Sequence, residues 1–247
     1  MLPVIVLVIV SAAAGLLAWV ATRAALRRSS DARAFALVTI GLTVVVLVGL
    51  GLVVRRGQGV PELDFDAAHW AHEHATSAGH RALRAISLFG SDAGVIVVGA
   101  AVGSIEYLRL RNRWIPVFLV VVALGDSLID TTIKHAVDRA RPTYDPAAAA
   151  LGPAFPSGHS STAAAFYAAL ALLAWRLRPA AARALLAGGA VAIAVAVACS
   201  RVMLDLHWLT DVVGGLALGW AWFALCALVF GRALGFREYP GQGRRLP

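Results

Sequence analysis

The sequence predicts an all-α fold, a polytopic transmembrane helix bundle, and three observations carry that class. Of 247 residues, 60% are hydrophobic and 15% charged, where a soluble domain averages about 25% charged. The mean hydropathy is +0.76. Seven apolar runs, at 2–21, 35–54, 91–109, 114–134, 159–177, 182–200 and 209–231, approach the roughly 20 residues that span a bilayer. In lipid a lone apolar segment satisfies its backbone only as a helix, so each run is expected to be one.

The first run contains no charge, whereas a cleaved signal peptide has a basic start and a shorter apolar core. Residues 2–21 therefore read as a retained helix, followed by a second at 35–54. Segment 55–90 is too polar to span. Asp64, Asp66, His69, His72, Glu73, Arg81 and Arg84 alternate there with Phe65, Trp70, Leu83, Ile86 and Leu88, the pattern of an interfacial amphipathic helix or helix pair. His69 and His72 share a helical face but His74 falls off it, and neither cysteine nor an H-E-x-x-H pattern completes a metal set. Solvated interfacial histidines are expected.

The runs at 91–109 and 114–134 flank a short loop with Arg109, Arg111 and Arg113, and the last three runs follow a proline-rich loop at 135–158. Cys199 and Cys226 lie within apolar runs as small core residues, without a disulfide framework. The tail at 232–247, with Gly, Pro and Arg, reads as a frayed cytoplasmic end. Internal repeats are absent. The expected organisation is an extra N-terminal helix and loop at 1–33, a six-helix core at 34–232, and a tail at 233–247.

The isoelectric point near 10.7 and net charge of +8 raise the question of nucleic acid. The basic residues are scattered between apolar runs, so they fit loops facing anionic lipid, and a nucleic-acid partner is not expected. Arginine outnumbers lysine 21 to 1, a compositional sign of a GC-rich bacterial genome. Fourteen arginines, at 23, 27, 28, 33, 109, 111, 113, 176, 178, 183, 232, 237, 244 and 245, fall on one side of the predicted bundle. The other eight basic residues fall opposite, and positive charge favours the cytoplasm. The loops 55–90, 135–158 and 200–208 are therefore expected on the outer face of a plasma membrane.

Three places in those loops concentrate groups that are costly near lipid. Lys134 and Arg141, seven apart, are expected on one helical face that Pro142 terminates. Pro156-Ser157-Gly158-His159 combines a helix stop, a hydroxyl, a bare backbone and the start of an apolar helix, whose first N–H groups favour an anion. In Ser200–Asp211, His207 and Asp211 are one turn apart. Singly each has an ordinary reading, such as a snorkelling arginine or a helix-end polar pair. Together they form a set for phosphoryl transfer, which needs cations on the non-bridging oxygens, an in-line nucleophile and a proton donor. Lys134, Arg141 and Arg201 supply charge, with Ser157 and the Gly158 N–H adding hydrogen bonds. The histidine oriented by a carboxylate is the better nucleophile, which selects His207 to attack, with Asp211 behind it, and His159 to protonate the leaving oxygen.

K-x6-R-P at 134–142, P-S-G-H at 156–159 and S-R-x5-H-x3-D at 200–211 resemble the three-part signature of the type 2 phosphatidic acid phosphatase superfamily. That superfamily includes lipid phosphate phosphatases and is related to vanadium haloperoxidases and bacterial acid phosphatases. The resemblance covers about 34–232 and leaves 2–21 as an additional helix. It implies a phosphorylated His207, His159 as acid, a phosphate held by Lys134, Arg141, Ser157, Gly158 and Arg201, and no metal or cofactor. The expected substrate is a lipid phosphate or pyrophosphate, met at the bilayer. Phosphatidate, phosphatidylglycerophosphate, diacylglycerol pyrophosphate and polyprenyl pyrophosphate all remain open, as does the oligomeric state. Lipid-linked phosphotransfer would use the same site. A transporter would draw on Asp126 and Asp130, acids inside an apolar run. Asp130 stands four residues before the sole lysine and is expected to orient it, the alternative being a hydrogen bond between helices.

Overall fold

The computed structural model describes residues 30–56, 62–74, 76–142, 144, 148, 150–174 and 179–235. They form eight helices and no strand: α1 (Ser30–Arg55), α2 (Glu62–Glu73), α3 (Ser77–Ser87), a 3-10 turn (Leu88–Gly90), α4 (Asp92–Leu110), α5 (Trp114–Val137), α6 (Gly158–Ala174), α7 (Ala180–Met203) and α8 (Leu209–Phe230). Six of the seven apolar runs are thus helical, and the run at 2–21 lies outside the described residues. The helices α4, α5, α7 and α8 are each long and apolar enough to cross a membrane. Ile96, Leu124, Leu128 and Leu185 point outward, as lipid-facing side chains do. The chain is a multi-pass helical membrane protein.

Helix α6 occupies the centre, packed between α8, α7 and α5, and nearly every side chain from Ser160 to Leu173 is buried. Its composition explains the place: a helix apolar on all sides has no solvent face to offer. Close approach of α8 depends on missing side chains. A Cβ on Gly215 would stand 2.4 Å from the Ser157 carbonyl oxygen, and one on Gly219 would stand 2.2 Å from that of Ser161. The two glycines are four apart and form a small-xxx-small seam that lets helix backbones meet. On the other side Asp126 of α5 accepts hydrogen bonds from the Ser161 hydroxyl and, at 3.1 Å, from Thr162. The bond between helices that was the alternative for Asp130 is thus found instead at Asp126.

Segment 55–90 forms the expected helix pair, α2 and α3. Thr76 caps α3 by accepting from the Gly79 N–H at 3.1 Å, and Ser91 caps α4 through Gly94 at 3.2 Å. Two local expectations are corrected. Helix α5 ends at Val137, because Asp138 takes a left-handed conformation with φ 51°, so Arg141 lies in the following loop rather than on the face of Lys134. The tail is packed at its start: Asn112 donates to the Ala233 carbonyl at 2.8 Å and Leu234 is buried. Residues 236–247 lie outside the described set.

Candidate active site

The site forms at the end of the bundle where α5 and α7 finish and α6 and α8 begin. Phe155, whose peptide bond to Pro156 is cis, is fully buried against α1 and α8, near Leu47 and Leu218. Two residues on, the chain is fastened to α8: the Ser157 N–H donates to the Asp211 carbonyl at 3.0 Å. Its hydroxyl accepts from Ser160 at 2.9 Å. The glycine seam therefore brings the start of α6 onto the first turn of α8.

Lys134 projects from the last turn of α5 and forms an ion pair with Asp130, the partner expected for it. The pair lies against Gly158, where a Cβ would sit 2.9 Å from Asp130 Oδ2 and 3.2 Å from Lys134 Nζ. With glycine there the pair lies directly against the backbone, and a Cβ would push the two side-chain ends away from it.

His207 lies in the turn between α7 and α8, where its N–H and that of Leu206 both donate to the Arg201 carbonyl, at 3.2 and 3.1 Å. The pairing with Asp211 is therefore made across a helix entry and not along a helix, since α8 begins at Leu209. Nδ1 stands 3.5 Å from Asp211 Oδ2, and on the other side Arg141 lies 3.1 Å from Nε2. A guanidinium can only donate, so Nε2 carries the lone pair and Nδ1 the proton, a tautomer assigned from Arg141 alone, since Nδ1 is buried and, among the described residues, makes no hydrogen bond. Burial, and then the cations Arg141, Arg201 and Lys134, hold the imidazole well below the usual histidine range. At neutral pH it is uncharged. Arg141 is itself fixed by the carbonyls of Leu206 at 2.7 Å and Gly152 at 2.8 Å.

His159, second residue of α6, shares a pocket with Arg201, whose guanidinium donates to the Ser87 hydroxyl at 2.7 Å. Burial, and then Arg201, His207, Lys134 and Arg141, push the His159 imidazole down to about 3, so a proton on it at neutral pH requires the negative charge of a bound phosphate to offset those cations. All eight predicted site residues thus stand at one end of the bundle.

Two further residues, Arg139 and Asp64, escaped the sequence reading. Arg139 is buried and donates to Asp211 Oδ1 at 2.5 Å, Thr210 Oγ1 at 2.7 Å and Asp64 Oδ2 at 2.8 Å. Asp64, wholly buried, also accepts from the Thr210 N–H at 2.8 Å and its hydroxyl at 2.6 Å. Asp211 in addition accepts from the Trp208 N–H at 2.9 Å, capping α8. The carboxylate behind His207 is therefore locked by a network that reaches α2. Arg139 lies two residues from Arg141, and its position in that stretch was the available signal. Asp64 looked like any acid in the first turn of a helix. One expectation about the histidines also changes: His69 pairs with Glu73 in an exposed contact, but His72 bonds Asp205 at 3.1 Å and is not merely solvated.

Fold and site together define a multi-pass helical membrane protein with a histidine pair and a cluster of cations at one end of its bundle. Residues 115–234 match the family model described as the PAP2 superfamily. A lipid A 1-phosphatase of Rhizobium johnstonii is 38% identical over 134 residues, which cover 50% of this chain and 51% of the relative. Phosphatidylglycerophosphatase B of Bacillus subtilis is 33% identical over 136 residues, covering 53% and 63%. The chain spans about half to under two thirds of the length of these curated relatives. The crystal structure of a transmembrane PAP2-type phosphatidylglycerolphosphate phosphatase from Bacillus subtilis superposes with a TM-score of 0.68. It is 24% identical and covers 76% of this chain and 97% of that one, a likeness of fold.

Proposed function

We propose that the protein is a lipid phosphate or pyrophosphate phosphatase that works through a phosphohistidine on the outer face of the plasma membrane. The observation that carries the reading is His207, neutral and buried, with Arg141 at 3.1 Å from Nε2 and Asp211 at 3.5 Å from Nδ1. The relatives' names supply the lipid class, and the arginine distribution supplies the side.

In the first step the Nε2 lone pair attacks phosphorus while the bond to the lipid oxygen breaks. His159 donates a proton to that oxygen, and the lipid leaves as an alcohol or, from a pyrophosphate, as a monophosphate. Lys134, Arg141 and Arg201 balance the charge on the equatorial oxygens, with Ser157 and the Gly158 N–H as further donors. Asp211, held by Arg139, steadies the cation that forms on His207. In the second step water attacks the phosphohistidine, His159 takes its proton, and inorganic phosphate is released. Asp126 and Asp130, the best support for a transporter, are bound to Ser161 and Thr162 and to Lys134.

The test is phosphate release by purified protein from phosphatidate, phosphatidylglycerophosphate, diacylglycerol pyrophosphate and polyprenyl pyrophosphate, with chelator present, beside His207→Ala. Release that survives chelation and is lost in the variant supports the reading. Release abolished by chelator, or retained in His207→Ala, overturns it. An added lipid acceptor that becomes phosphorylated in place of phosphate release would identify phosphotransfer at the same site.

A further inference from the structure

The cations gathered at the site are fastened unequally. Lys134 is paired with Asp130, and Arg141 is held by the carbonyls of Leu206, Gly152 and Pro153. Arg201 is buried in the last turn of α7, yet among the described residues its guanidinium makes one hydrogen bond, to the Ser87 hydroxyl at 2.7 Å. A guanidinium is a rigid planar fork, so one firm bond on one arm sets where the other arm points.

Ser87 is itself held in place. It ends α3, 114 residues from Arg201 in sequence, and the turn that follows is clamped to both neighbouring helices. The Tyr167 hydroxyl of α6 donates to the Phe89 carbonyl at 3.0 Å. A Cβ on Gly90 would stand 2.6 Å from the His159 carbonyl oxygen and 2.6 Å from Val197 Cγ1, so this backbone lies directly against α6 and α7. Ser87, His159 and Arg201 accordingly line one cavity. The kind of partner decides what the contact does. A carboxylate in place of Ser87 would hold the guanidinium but cancel its charge and compete with phosphate. A hydroxyl accepts one N–H and leaves the positive charge to a ligand. A neutral partner for a buried cation does little for stability, but it suits a preorganised anion site.

We propose that Ser87 is a positioning residue, which aims Arg201 at the phosphate from outside the stretch 115–234 that matches the family model. The proposal rests on the phosphatase reading above, in which Arg201 binds that phosphate. It is tested by a double-mutant cycle on kcat/KM, using the lipid that the protein turns over fastest, with Ser87→Ala, Arg201→Gln and the pair. Ser87→Ala is expected to lower kcat/KM about tenfold, the worth of one hydrogen bond to a charged group, and to loosen inorganic phosphate in calorimetry by about as much. In the Arg201→Gln background the same change is expected to cost less than about twofold, because the group it acts through is gone. A folding defect would lower both backgrounds alike. An equal loss in the two backgrounds, or wild-type kcat/KM and phosphate affinity in Ser87→Ala, overturns the positioning role and leaves the phosphatase reading standing. Wild-type kcat/KM in Arg201→Gln alone overturns it too, by removing Arg201 from the phosphate site. Phosphate release from no lipid overturns the proposal and the phosphatase reading together.

Discussion

Arg139 bridges two buried carboxylates, Asp211 at 2.5 Å and Asp64 at 2.8 Å, and so fixes the group that faces His207. It joins the start of α2 to the first turn of α8 through a guanidinium fork, a geometry that lysine lacks. Arg139→Met would leave both carboxylates buried without a counter-charge, at a cost of about 3–5 kcal/mol. Thermal unfolding in detergent is expected to show that loss. Arg139→Lys is expected to recover part of the stability while kcat stays reduced by about tenfold or more, because a single ammonium nitrogen lacks the planar fork that reaches both carboxylates at once. Unaltered kcat in a folded Arg139→Lys protein would remove the positioning role.

The glycine seam makes a second prediction. Gly215→Ala puts a methyl 2.4 Å from the Ser157 carbonyl, so α8 must shift away from the start of α6. Overpacking of this kind typically costs about 1–3 kcal/mol. The same shift disturbs the Ser157–Asp211 bond, so both melting temperature and phosphate release are expected to fall. Alanine at Gly188 or Gly189, where nothing lies within 4 Å of the added carbon, serves as the control and should lower neither.

Much of this molecule was legible in its sequence, and the exceptions have physical causes. Hydropathy placed α1 and α4–α8 because a spanning helix writes its length and polarity directly into composition. The three polar clusters were visible because charge next to an apolar run is conspicuous. The contact between Ser157 and Asp211 was hidden, since Gly215 and Gly219 sit unremarked in an apolar run until the partner backbone is known. Arg141 was placed on a helix because its spacing from Lys134 fits two turns, whereas the left-handed Asp138 ends that helix earlier. Asp64 was read only as one polar position of an interfacial amphipathic helix, because its partner, Arg139, is 75 residues away. Pattern within a segment is local information, and a buried ion pair between segments is not.

The environment of His207 sets a pH dependence. Its pKa is lowered, chiefly by burial and then by Arg141, Arg201 and Lys134. A lowered value keeps the imidazole neutral as pH falls through the ordinary histidine range, and protonation removes the nucleophile only below it. The acid limb of kcat/KM that reports the free enzyme's His207 is therefore expected below about pH 6.5, the reference value for histidine. Removing a cation should raise it, so the His207 resonance in Arg141→Gln is expected to titrate at higher pH than in wild type. A wild-type His207 that titrates at or above the reference value would contradict the assignment.

Asp130 gives a separate test of the lysine. Asp130→Asn keeps the size of the side chain but removes the charge that pairs with Lys134. The ammonium then loses its anchor beside Gly158, and a rise of several-fold in KM or a fall in kcat is expected. Phosphate release and substrate affinity both equal to wild type would mean that the pair has no part in the reaction.

The central claim is that His207 carries the phosphoryl group between lipid and water. Rapid quenching of the protein with lipid labelled in its phosphate, under alkaline conditions that preserve phosphohistidine, tests it most directly. The predicted result is labelled protein that forms before free phosphate, with the label on His207, and no labelled protein from His207→Ala. Label that never appears on His207 while phosphate is released at the wild-type rate would contradict the account.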